Sequence, residues 1–217
     1  MKRWLAAVAL GVAVFRASAG SGYELLDPPR PVEDPTKVEV IEFFSYGCPH
    51  CDAFEPILEP WVAKLPEDVV FKRWPVIFYS SWEILARAYF VAETLGVVEK
   101  VHPLIFDAVH REGKRKLTRQ DLASIFEKAG VKREAFEQAY DSFAVDVKMR
   151  QVNRVAGDYG ITGVPTLVVQ GKYQITGRLA GSFEKMLEVA DRLIEQERKA
   201  LKTKDGKAPK SAEAVAQ

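Results

Sequence analysis

The sequence predicts an α/β fold, a central mixed sheet flanked by helices and interrupted by an all-helical insert. Three observations carry this. A β-branched and aromatic run, Val38-Glu39-Val40-Ile41-Glu42-Phe43-Phe44, leads into a helical pattern in which Phe54, Ile57, Leu58, Trp61, Val62 and Leu65 recur at three- and four-residue intervals. From Ser81 to about Gln151 the apolar spacing is helical throughout. The chain then returns to two short strand-like runs and a long amphipathic pattern.

The elements follow in order. Residues 1–19 read as a signal peptide: Lys2 and Arg3 form a basic start, Trp4 to Phe15 is apolar but too short to cross a membrane, and Ala17-Ser18-Ala19 is a small-x-small cleavage pattern. Gly20 then begins the mature chain; a retained N-terminal anchor is the alternative, and Arg16 blurs the exact cut. Cleavage removes three positive charges and no negative ones, taking the formal net charge from +1 to −2. That balance, without a basic patch, gives no support for nucleic-acid binding. Ser21 to Thr36, with four prolines, reads as an extended lead-in with a short edge strand near Tyr23 to Leu26. The central strand covers Lys37 to Phe44, and Val69 to Trp74 is the next, ending at Pro75.

In the insert, Ser81 caps a helix that stops near Gly96, and a second helix spans about Val98 to His110. Thr118-Arg119-Gln120-Asp121 opens a third like a capping box, ending at Gly130. A fourth covers about Lys132 to Phe143, and a fifth runs through Val145 and Val155 to near Gly160. Their apolar stripes read as packing faces, and His102 and His110 as structural or solvent-exposed residues. Thr166 to Val169 and Tyr173 to Thr176 flank Gln170-Gly171-Lys172, a hairpin signal, and Phe183 to Arg198 is a helix. Residues 20–80 and 151–200 thus form one domain, 81–150 an inserted helical one, and 201–217 a polar, disordered tail.

The chemistry sits at the junction of strand and first helix. The chain has two cysteines, Cys48 and Cys51, in Cys48-Pro49-His50-Cys51. Thiolate is the reactive form of cysteine, and a helix start offers unpaired N–H groups and the positive end of the peptide dipole. Pro49 suits the first helical position, where its missing N–H costs nothing, so Cys48 is placed to be stabilised as a thiolate. His50 adds a positive charge or a donor. Cys51, one turn on, is near enough to close a small disulfide ring. Cys48 is expected to be the exposed attacking sulfur and Cys51 the buried resolving one. A zinc site would need two further ligands, and His102 and His110 are the only recruits in view, so no metal is expected. A purely structural disulfide over so short a loop would remove little unfolded-state entropy. Two cysteines in an exported chain of this size are better explained by chemistry than by stapling.

The segment Glu42-Phe43-Phe44-Ser45-Tyr46-Gly47-Cys48-Pro49-His50-Cys51 resembles the active site of the DsbA family of periplasmic thiol:disulfide oxidases, and Thr162-Gly163-Val164-Pro165-Thr166 is a second match. The likeness spans roughly residues 24 to 200. It implies a thioredoxin-like fold carrying the helical insert, and no cofactor beyond the redox-active Cys48–Cys51 disulfide. It also implies a cis Val164–Pro165 bond packed against the cysteines, with the backbone around Val164, Pro165 and Thr166 receiving an extended substrate chain. An X-Pro bond is otherwise usually trans, which would leave an ordinary loop proline. The family carries an acidic residue beneath the active site with a basic partner on the next strand. Here these are Glu42 and Arg73, with Lys72 the second candidate, unless Glu42 simply points to solvent. Near the cysteines Glu42 serves proton shuttling for Cys51 or charge balance, since a carboxylate raises a thiol pKa.

The expected function is insertion of disulfides into reduced, unfolded polypeptides in the periplasm by a monomer, with reoxidation by a quinone-linked membrane partner of the DsbB type. Two alternatives stand beside it. One is a reductase or isomerase of the same fold. The other is a non-enzymatic holdase using Phe44, Tyr46, Trp74, Phe78, Tyr79 and Trp82 as a binding surface.

Overall fold

The computed structural model describes residues 21–114 and 116–205. The signal-peptide assignment and the last twelve residues of the tail lie outside the described residues.

Strands β1 (Glu24–Leu25) and β2 (Val38–Phe44) come first, then helix α1 (Pro49–Val62) and strand β3 (Val69–Pro75). The insert holds α2 (Glu83–Thr94), α3 (Val98–Phe106) with a π-turn at Asp107–Arg111, α4 (Arg119–Lys128), α5 (Arg133–Tyr140) and the start of α6 (Phe143–Asp158). Strands β4 (Thr166–Val169) and β5 (Tyr173–Thr176), the short α7 (Gly177–Ala180) and α8 (Phe183–Asp205) complete the chain. The sheet order is β1-β5-β4-β2-β3, with β2 parallel to β3 and the other pairings antiparallel. This is the thioredoxin-like α/β arrangement with a helical insert.

β2 is central and almost wholly buried, its apolar residues facing the packed layers on both sides and its two acids, Glu39 and Glu42, buried against basic partners. Val38 and Val40 pack with Phe54 and Leu58 of α1 and Met186 and Leu193 of α8. Phe43, pointing the other way, packs with Ala156, Tyr159 and Val168. A third core fills the insert and continues without a break to Phe44, Tyr46, Cys48 and Cys51. The β4–β5 hairpin turns through Gln170-Gly171-Lys172, with Gln170 and Gly171 both left-handed (φ 52° and 61°) and the Lys172 N–H donating to the Val169 carbonyl (3.0 Å). Gln170 is anchored there by two bonds to β2: its N–H donates to the Glu39 carbonyl (2.7 Å), and its side-chain oxygen accepts from the Glu39 N–H (2.8 Å).

Three expectations are corrected, and one element is new. Ser81 caps nothing: it lies inside a 3-10 turn, Ser80–Trp82, and α2 starts at Glu83 without a side-chain cap. The fourth insert helix ends at Tyr140, because the Ser142 hydroxyl accepts from the Val145 N–H and opens α6. The tail assignment begins too early: α8 runs to Asp205, where Leu201 still packs on the core. The short α7, capped by the Thr176 hydroxyl accepting from the Leu179 N–H, was unforeseen. The Thr118–Asp121 capping box forms as expected, and α6 runs unbroken across residue 150.

Candidate active site

Cys48 is the N-cap of α1, with extended backbone (φ −97°, ψ 118°), and Pro49 occupies the first turn. A tight turn delivers it: the Cys48 N–H donates to the Ser45 carbonyl (3.1 Å), and the Gly47 N–H to the Ser45 hydroxyl (3.1 Å). Gly47 is required here, since a Cβ would fall 2.2 Å from the Trp82 indole nitrogen. Both thiols are free. Cys48 retains 6% exposure and Cys51 none, so Cys48 is the more open of the two, but it is buried rather than exposed as the sequence suggested.

The two thiols are driven apart in acidity. Cys48 is lowered from 9.0 to about 6, chiefly by a hydrogen bond from the Cys51 thiol and then, against the cost of burial, by the Cys51 and His50 backbone N–H groups and the His50 charge. Cys51 is pushed well above its ordinary value by burial, by Cys48 and by Glu42. The helix start therefore contributes, but the partner thiol contributes more. A depressed acid stabilises the reduced fold above its folded pKa. The contribution is fully present above the ordinary thiol pKa and is lost as pH falls through about 6. Following thiolate absorbance of the reduced protein against pH should give a midpoint near 6. Denaturant melts should show the stability advantage over Cys48→Ser growing from pH 6 to pH 9.

Across from the cysteines, Val164–Pro165 is cis. The Val164 carbonyl lies 3.5 Å from the Cys48 sulfur and accepts its thiol hydrogen when Cys48 is protonated. Thr166 is buried at the start of β4, its hydroxyl donating to the Gly163 carbonyl (2.8 Å). A cleft of about 640 Å³ runs along this backbone, bounded by exposed His50, Thr162, Val164, Pro165, Arg178 and Phe183.

Beneath the cysteines the parallel register sets Glu42 opposite Arg73. Both are the fifth residue of a seven-residue strand, so their side chains share the face under α1. Glu42 is fully buried, and Arg73 Nε donates to its Oε2 (3.0 Å). The Arg73 guanidinium also bonds Glu59 and lies 3.5 Å from Glu55 Oε2. Lys72 turns away to Glu39 (2.6 Å) and Glu33. Burial, then repulsion from Glu55, raises Glu42 to about 8 against the pull of Arg73. Burial also raises Glu55 to about 8.

The two insert histidines, read from the sequence as structural or solvent-exposed, are structural, but their partner was not foreseen. Buried His102 sets Nδ1 2.8 Å from the Tyr46 hydroxyl, and His110 Nε2 donates to the Tyr46 carbonyl (2.7 Å). The insert therefore grips the active-site loop at both ends of Tyr46. The available signal was His102, Phe106 and His110 at four-residue steps, a stripe on one helical face. Of the proposed holdase surface, Phe44 and Tyr46 are core; Phe78 and Tyr79 are exposed and flank Trp82.

A thiol of lowered pKa opening a helix, a buried partner one turn on, and a cis-proline backbone beside them define a thiol:disulfide oxidoreductase of thioredoxin-like fold. Residues 72–186 match the family model of the DSBA-like thioredoxin domain. The chain is 45% identical over 184 residues to the thiol:disulfide interchange protein DsbA of Pseudomonas syringae pathovar tomato, covering 85% of this chain and 86% of that one. The crystal structure of Pseudomonas aeruginosa DsbA superposes with a TM-score of 0.79 at 44% identity, covering 84% and 95% of the two chains. A Proteus mirabilis DsbA holding a non-covalently bound peptide superposes with a TM-score of 0.69 at 28% identity, covering 84% and 97%. The chain belongs to the DsbA family.

Proposed function

We propose that this protein is the oxidising member of a periplasmic disulfide relay, inserting disulfides into newly translocated polypeptides. The observation that carries this is the lowered pKa of Cys48 beside the raised pKa of Cys51, which favours the state in which Cys48 leaves as a thiolate. A client thiolate attacks Cys48 Sγ. The Cys48–Cys51 bond breaks, its electron pair goes to the Cys51 sulfur, and Cys51 takes up a proton. Glu42, buried beneath it, is the group suited to mediate that proton. A second client thiolate then attacks the client sulfur of the mixed disulfide and expels Cys48. Two electrons have passed from the client dithiol to the protein.

His50 supports the Cys48 thiolate and Pro49 fixes the helix start. The cis Val164–Pro165 backbone and Thr166 hold the client strand, in keeping with the peptide bound by the Proteus relative. The Cys48–Cys51 disulfide is the only redox group the chemistry needs. The protein works as a monomer, exported by a signal peptide at residues 1–19 and reoxidised by a quinone-linked membrane partner of the DsbB type. Residues 20–80 and 151–200 carry the chemistry, and 81–150 are the insert.

Mixing the oxidised protein with a reduced, unfolded two-cysteine client tests this. One client disulfide should form for each Cys48–Cys51 pair reduced. Net transfer the other way, from the dithiol protein to an oxidised client, would establish the reductase reading instead.

A further inference from the structure

Between α1 and α3 lies a second cavity, of about 380 Å³. Its walls include Asp52, Glu55, Glu59, Glu99 and Asp107 against Arg73 and Arg111, an acidic excess that attracts cations. Glu55 and Glu59 are one turn apart on α1, and His102 faces them from α3. One ligand atom from each lies within 4.8 Å of the other two. Among the described residues this is the one such three-ligand cluster of His, Cys, Asp or Glu, and it does not include the cysteines.

His102 supplies the independent observation. It is 3% exposed, and its Nε2 has no hydrogen-bond partner, although Glu55 Oε1 stands 3.2 Å away. Both Glu55 oxygens are likewise buried without a hydrogen bond. Nδ1 is engaged by the Tyr46 hydroxyl. With the ring hydrogen on Nδ1, donated to Tyr46, the Nε2 lone pair faces a carboxylate oxygen across 3.2 Å. In that arrangement either a proton or a metal cation can sit between the two lone pairs, and the three clustered ligand atoms favour the metal. A histidine fixed through one nitrogen and presenting the other is the form in which histidine ligates metals. The surroundings agree: Glu42, Glu55 and Glu59 meet a single guanidinium, Arg73, so a cation that displaces the protons from the ligating carboxylates finds few competing positive charges.

We propose that Glu55, Glu59 and His102 Nε2 form a binding site for a divalent transition cation of the zinc class, clamping α3 of the insert to α1. One imidazole and two carboxylates suit zinc, whereas calcium and magnesium prefer oxygen alone. Arg73 engages Glu59 through Oε1, leaving Oε2 for the cation, and the cavity leaves room for water at the open position. Binding requires deprotonated ligands and so releases protons.

The test is calorimetric titration of zinc ion into the full-length oxidised protein, in which the disulfide withholds both sulfurs from the metal. One zinc per chain is expected, with proton release and a rise in Tm. Glu59→Gln and His102→Gln should each weaken binding at least tenfold and remove the Tm rise, whereas Glu188→Gln, on the exposed face of α8, should change neither. Glu59 is half-exposed, so Glu59→Gln removes a ligand without opening the core and decides the matter if His102→Gln fails to fold. No saturable binding by the oxidised protein, or binding unaltered by Glu59→Gln, overturns the proposal; a proton then sits between the two lone pairs. The site does not depend on the direction of disulfide exchange, so either result leaves the oxidase reading intact.

Discussion

Replacing Cys48 by serine should abolish disulfide transfer to a reduced client altogether. The loss is complete because the reaction has no electron acceptor once the Cys48–Cys51 bond cannot form. Cys51 is no substitute: it has no exposed surface and its thiol is held well above its ordinary pKa. Replacing Cys51 instead should leave Cys48 able to enter mixed disulfides that are no longer resolved from within the protein. The two Cys51 variants should also differ. The Cys51 thiol hydrogen bond is the largest influence lowering Cys48, so Cys51→Ala should raise the Cys48 midpoint above 6, and Cys51→Ser, which keeps a donor, should raise it less. Client oxidation assayed with absorbance titration separates these outcomes. Equal midpoints in the two variants would shift the credit to the helix start.

Arg73→Leu should be the most damaging substitution for stability outside the cysteines. It removes the single guanidinium facing Glu42, Glu55 and Glu59 and strands a fully buried carboxyl group whose Oε1 already has no partner. Breaking one side of a buried ion pair typically costs about 3–5 kcal/mol. Arg73 lowers the Glu42 pKa, which stands at about 8, so its loss moves that pKa higher. The variant then pays increasingly as pH rises through this range, and its deficit should be larger at pH 9 than at pH 6. Adding Glu42→Leu should recover much of the loss, because a well-packed apolar pair tolerates burial where an unpaired acid does not. Urea melts of the single and double variants at both pH values measure this. An Arg73→Leu protein as stable as the parent at pH 9 would mean that the acids are not held by that guanidinium.

Much of this site was legible because its chemistry is local. Strand, turn, Cys48-Pro49-His50-Cys51 and helix lie within one stretch, whereas the Glu42–Arg73 pair came from the family resemblance, and the parallel register is what selects Arg73 over Lys72. Pro165 is more than a hundred residues from Cys48, and only the family resemblance placed it beside the sulfur. The stripe of His102, Phe106 and His110 marks one helical face but not its partner, since Tyr46 lies over fifty residues from either histidine. Helix ends failed for a related reason. Ser81 has a capping side chain, but the chain tightens into a 3-10 turn there, with Trp82 set against Gly47. Lys- and Ala-rich residues after 200 suit both a solvated tail and a helix, and the packing of Leu201 selects helix through Asp205.

The redox equilibrium with glutathione as a function of pH decides whether Cys48–Cys51 is an oxidant because Cys48 rests as a thiolate while Cys51 does not. Thiolate stabilisation at Cys48 alone raises the potential by about 30 mV at pH 7 relative to an unperturbed thiol. That stabilisation, with Cys51 protonated, predicts a value less negative than about −200 mV. It also predicts a slope that falls from about 60 mV per pH unit below pH 6, where reduction takes up two protons, to about 30 mV above it, where only Cys51 is protonated. A potential near about −270 mV, the range of a reductase, with an unbroken slope of about 60 mV through pH 8, would contradict it.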